Sequence, residues 1–139
     1  MGIACPDEAP LLAFVSLVAP AIAMGNRVIV VPSPASPFAA TDFYQVLDTS
    51  DVPGGVVNIV TGDRAALSKT LAEHDDVAAM WYFGTKEGSA AVEAGSIGNL
   101  KATWANNGRP VAWSESSGQG RDYLRRATQV KNIWVPYGE

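Results

Sequence analysis

Apolar positions along the chain fall into short blocks with two alternating spacings. Around Ile3–Cys5, Arg27–Val31 (RVIVV), Val56–Val60, Ala78–Phe83 and Leu100–Ala105 they run almost consecutively and favour β-branched or aromatic residues. That is the pattern of strands buried on both faces. Between them lie segments with helical spacing: Ala9–Met24, Pro37–Asp48, Arg64–Glu73 and Lys86–Ala94. The first of these is apolar nearly all round, which predicts a buried helix. Punctuation agrees with these limits. Gly25-Asn26 stops the first helix, Ser36 and Pro37 offer a cap and a first position for the second, and "DVPGG" is a turn. Asp63 caps the third helix, and Gly84-Thr85 leads into the fourth. From Asn106 to Gly120 the composition is that of a loop, after which a helix over Arg121–Thr128 and a strand over Asn132–Val135 close the chain.

Strands alternating with helices of about ten residues or more imply right-handed crossovers and a mainly parallel sheet, here of about five strands in an α/β fold. Ligands of such sheets bind at the carboxyl ends of the strands. The segments to inspect are therefore Pro6–Ala9, Pro32–Pro34, Thr61–Arg64, Gly84–Lys86 and Asn106–Arg109.

Composition narrows the partners. With 139 residues, 47% apolar and 17% charged, the chain is one packed domain. A net charge of −4 argues against nucleic acid, and the nearest basic group, Arg121, Arg125 and Arg126, is interrupted by Asp122 and reads as a solvated helix face. Leu11–Met24 is too short to span a bilayer and contains Pro20. The single cysteine excludes an internal disulfide and points to a reducing, cytoplasmic setting. Cys5 reads as a small residue ending a strand rather than a nucleophile, since Pro6 follows and only His74 could serve as its base. Asp75 and Asp76 read as a solvated pair without a third metal ligand. Trp81, Tyr82 and Phe83 belong to a strand entering a core, and Trp104, Trp113 and Trp134 supply apolar bulk to a core or an interface. The apolar ending "WVPYGE" reads equally as an edge strand or as a docking segment. A start at Met-Gly directly before a strand points to a piece of a longer polypeptide.

One resemblance is specific. "APAIAMGNRVIVVPSPASPFAATDFYQVL", "VPGGVVNIVTG", "HDDVAAMWYFGT" and "NLKATWANNG", in that order, resemble the cofactor-binding domain of the aldehyde dehydrogenase superfamily over Gly2 to about Gly108. The tail resembles the degenerate C-terminal module of the two-module class of that superfamily. The resemblance implies a Rossmann-like three-layer α/β/α core over residues 1–108, with 109–139 completing the same domain by a loop, a helix and a terminal strand. It also implies an NAD(P)-dependent parent protein, an oligomeric assembly, and an upstream catalytic region of the same polypeptide as partner.

The departures from the family's pattern carry the functional expectation. The family's first turn, P-W-N-F-P, supplies an Asn that donates to a developing oxyanion; here it reads Pro6-Asp7-Glu8-Ala9-Pro10. Glu8 stands in the donor's place, and an ionised carboxylate cannot donate. Losing such a donor costs about 2.7–4 kcal/mol of transition-state stabilisation. The Lys and Glu of K-P-x-E, which hold the adenosine ribose, are replaced by Val31 and Pro34. Arg64 and Ser68 replace glycines that follow V-T-G, and Asn106 replaces the general-base Glu of L-E-L-G-G. An amide has no useful basicity at neutral pH. Gly84 and Thr85 remain where the family meets the cofactor pyrophosphate, although a tight turn and a helix cap explain them as well. With Lys86 they also define an alternative, a small anion-binding module. The expectation is a catalytically degenerate, structural or assembly domain with little or no cofactor affinity of its own, the alternative being the cofactor-binding domain of an active dehydrogenase.

Overall fold

The computed structural model describes residues 1–138. Five parallel strands form one sheet: β1 (Gly2–Ala4), β2 (Val28–Val31), β3 (Val57–Ile59), β4 (Ala79–Tyr82) and β5 (Ala102–Ala105), in the order β3-β2-β1-β4-β5. Register is set by Ile3 opposite both Val30 and Trp81, with Trp81 in turn opposite Trp104. Four helices connect the strands: α1 (Pro10–Ala23), α2 (Phe38–Asp48), α3 (Arg64–Glu73) and α4 (Lys86–Gly95). A 3-10 turn (Ser116–Gly118) and α5 (Arg121–Arg126) follow β5.

The two-residue period of the strands divides the core into two layers. Ile3, Cys5, Val28, Val30, Trp81 and Phe83 face α1, α2 and α5, while Ala4, Val31, Met80 and Tyr82 face α3 and α4. This is the α/β architecture that the alternation predicts. Trp81, Tyr82 and Phe83 are all buried, as a strand entering a core requires. Residues beyond β5 close the first layer: Trp113 and Tyr123 are buried and join Trp104 and Phe83 in an edge-on aromatic stack, with the Arg126 guanidinium 4.6 Å above the Trp104 ring. Asn26 ties this segment to α1 by donating from Nδ2 to the carbonyls of Ala21 (3.0 Å) and Ala127 (2.8 Å).

Four expectations are corrected. No strand forms over 132–135; residues 127–138 are irregular, and Trp134 is 91% exposed, outside the core of this domain and so left with the interface alternative. A strand needs a neighbouring ladder, and this segment pairs with none among the described residues. Helix α1 is not buried all round: Leu11 and Leu12 on its outer side are exposed, as is Met24 just past its end, because a helix lying on a sheet buries only the stripe that faces it. Ser36 does not cap α2; Pro37 occupies that position without a side-chain bond, while the Ser36 amide donates back to the Ser33 hydroxyl at 3.3 Å. Leu100 lies outside β5, turned into the left-handed region at φ 55° with its side chain exposed.

Candidate functional site

The strand order reverses direction at the centre of the sheet, between β1 and β4, where open parallel sheets form a crevice. The turn after β1 and the start of α4 flank a cleft of about 250 Å³ there, which the loop after β5 closes. Its walls include Asp7, Glu8, Arg64, Gly84, Thr85 and Asn106, together with Arg109 and the buried Trp113. Two carboxylates and two guanidinium groups thus line one small space. Glu8, Gly84, Thr85 and Asn106, anticipated from the sequence, come together here. Val31 and Pro34 do not: Val31 is buried in the second core layer and neither residue lines the cleft.

The groups around the cleft are largely engaged with one another. Asn106 Oδ1 accepts from the Gly84 amide at 3.0 Å, while its Nδ2 donates to the Arg109 carbonyl at 2.9 Å. These two partners fix the orientation of the amide and lace the loops after β4 and β5 together. Thr85 caps α4, its Oγ1 accepting from the Gly88 amide at 3.0 Å. Ser89 donates to the Thr85 carbonyl at 2.9 Å and accepts from the Asn107 amide at 3.2 Å, which closes the turn. The ring of Tyr82 lies against the same helix start, so a Cβ on Gly84 would sit 2.8 Å from its hydroxyl.

Across the cleft, Asp7 Oδ1 accepts from Arg64 Nη2 at 2.5 Å and from Ser33 Oγ at 2.6 Å. Arg64 is only 13% exposed against 48% for Asp7, and its Nε is buried without a partner. Burial works against ionisation of Asp7, but the hydrogen bonds from Ser33 and Arg64, the Arg64 charge and the Ala35 amide outweigh it. The carboxyl is held below the usual carboxylate value. One carboxylate therefore joins the loops after β1 and β2 to the start of α3. Sequence reasoning marked Arg64 as a departure and placed it at the right end of the sheet, but not as the partner of Asp7, from which it is 57 residues distant.

Beneath this clasp Cys5 is completely buried, and desolvation pushes its thiol up to about 12 although the Arg64 charge pulls the other way. It is no nucleophile. His74 ends α3 at the opposite end of the sheet, before β4, where its Nδ1 accepts from the Asp76 amide at 3.2 Å. Among the described residues no group of His, Cys, Asp or Glu is placed to hold a metal ion, and no helix is long and apolar enough to cross a membrane.

The cleft is small, and one of its backbone donors is engaged. Pockets that enclose drug-sized ligands hold about 300–1,000 Å³, and the Gly84 amide, a donor that a phosphate at this helix start would need, is already bonded to Asn106.

Comparison with known proteins agrees with the architecture. The aldehyde dehydrogenase family pattern matches residues 1–108. Over 114 residues the chain is 32% identical to a 2-aminomuconic 6-semialdehyde dehydrogenase from Pseudomonas sp., covering 81% of this chain and 23% of that protein. The crystal structure of an aldehyde dehydrogenase from Bartonella henselae superposes with a TM-score of 0.74 at 26% identity, over 80% of this chain and 23% of that one. An indole-3-acetaldehyde dehydrogenase complexed with NAD+ gives a TM-score of 0.71 at 28% identity, over 75% and 21% of the two chains. The chain thus spans less than a quarter of the length of each of these three relatives.

Proposed function

Since the chain belongs to the aldehyde dehydrogenase family, we propose that it serves as a catalytically silent, Rossmann-like module of a longer cytoplasmic, oligomeric protein that oxidises aldehydes with NAD(P). The observation that carries this reading is the double engagement of Asn106. Its amide stands where the family resemblance places a general base, and both of its ends are spent on the backbone at Gly84 and Arg109. An amide so held neither takes a proton nor leaves the Gly84 amide free for a phosphate. Glu8, exposed at the cleft wall in the place of an oxyanion donor, adds charge of the wrong sign. With the only thiol buried, the chemistry belongs to another region of the same polypeptide, and this module contributes packing surface and shape.

A second reading keeps the chain as the cofactor-binding part of an active dehydrogenase. It is favoured by the intact Gly84-Thr85 turn at the start of α4 and by relatives that are named as dehydrogenases. Calorimetric titration with NAD+ to millimolar concentration separates the two. The module reading expects no saturable heat and no rise in melting temperature. Saturation in the micromolar range would overturn it in favour of the second.

A further inference from the structure

The contact between Asp7, Ser33 and Arg64 does more than stabilise a surface. Its three residues come from three separate places in the chain: the turn after β1, the loop after β2, and the first position of α3. Two of them, Asp7 and Arg64, are also walls of the cleft at the centre of the sheet. The guanidinium is mostly buried, and it is held from one side by a carboxylate that the Ser33 hydroxyl fixes in place. An arginine tethered in this way fills volume at the mouth of the crevice with a group that cannot rotate away without abandoning its partner.

We propose that Arg64, latched by Asp7 and Ser33, is an internal bar that closes the cleft to dinucleotides. The proposal rests on the module reading above and gives it a physical cause. The cleft measures about 250 Å³ with the bar in place, and the guanidinium is one of its walls. Withdrawing that side chain removes the wall of the cleft on the α3 side, at the carboxyl ends of the strands where ligands of such sheets lie. The latch also joins all three loops on the β1-β2-β3 side, a connection that a nucleotide lying across them would otherwise supply. The domain is therefore organised as though its ligand were already present.

The test compares NAD+ binding, by calorimetry and by thermal shift, for the parent chain, Arg64→Ala and Asp7→Asn. Arg64→Ala removes the bar, whereas Asp7→Asn weakens the latch while keeping its shape, and circular dichroism with a cooperative melt establishes that each variant folds. The expected result is a dissociation constant at least tenfold lower for Arg64→Ala than for the parent chain, with Asp7→Asn between them. Equal behaviour of parent and folded Arg64→Ala, whether both bind or neither binds, overturns the bar. If Arg64→Ala does not fold, Asp7→Asn decides by the same comparison. The module reading is judged separately, by the parent chain alone. Parent binding in the micromolar range defeats that reading even where Arg64→Ala binds tighter still, and silence in all three proteins defeats the bar while leaving the module reading intact.

Discussion

At the residue scale the most informative side chain is Asp7, because its charge is maintained by partners distant in sequence. Its carboxyl is held below the unfolded value of about 3.9, so the ionised form is favoured by folding. The contribution to stability is fully present above the unfolded value and is lost as pH falls through the folded value. With about half of the side chain open to solvent, its size is that of an exposed pair, about 0.5 kcal/mol. Denaturant unfolding of the parent chain and Asp7→Asn at a series of pH values checks this. The difference between them should be constant at pH values well above the unfolded value and shrink as pH falls below it toward the lower folded value. A difference that grows on acidification would mean that the carboxylate is strained rather than held. None of this is legible in "CPDEAP", where Asp7 looks like an ordinary turn residue.

Helix α4 shows at the element scale how a neighbouring strand reverses a local rule. Glycine inside a helix costs about 1 kcal/mol relative to alanine, so Gly88→Ala would ordinarily stabilise. Here a Cβ at that position runs into the ring and hydroxyl of Tyr82, which projects from β4 beneath the helix start. Overpacking costs about 1–3 kcal/mol, and Gly88→Ala is expected to lower stability by that order in thermal unfolding; a rise in melting temperature would show that Tyr82 can move aside. The boundaries of α3 and α4 were readable because their caps, Asp63 and Thr85, act within three residues. Ser36 misled because the helix starts one residue later, its first amides donating to the Pro37 carbonyl, while Ser36 belongs to the preceding turn.

For the whole molecule, the alternation of strand and helix was enough to give the parallel sheet and the end at which its cleft lies. What the alternation cannot give is which loops meet: Asn106 and Gly84 are 22 residues apart and join only because β4 and β5 are neighbours. The tail marks the opposite limit. "NIWV" has the composition of a strand, yet with no ladder to join it stays open, with Val130, Ile133, Trp134 and Tyr137 all more than four-fifths exposed. Ending the chain after Thr128 is accordingly expected to change the free energy of unfolding by no more than about 0.5 kcal/mol. A loss of 2 kcal/mol or more in denaturant titration, on the order of a buried side chain, would show that the tail packs on the domain in solution.

The burial of Cys5 has a practical consequence. The only thiol in the chain stands at the carboxyl end of the central strand, roofed by the clasp and closed to solvent. With its proton so firmly retained, a thiol reagent meets it only when the middle of the sheet comes apart. The residue is a built-in clock: under conditions where labelling outruns reclosing, the rate at which it takes up a label is the rate at which the domain opens, with no probe added and no second cysteine to confuse the count.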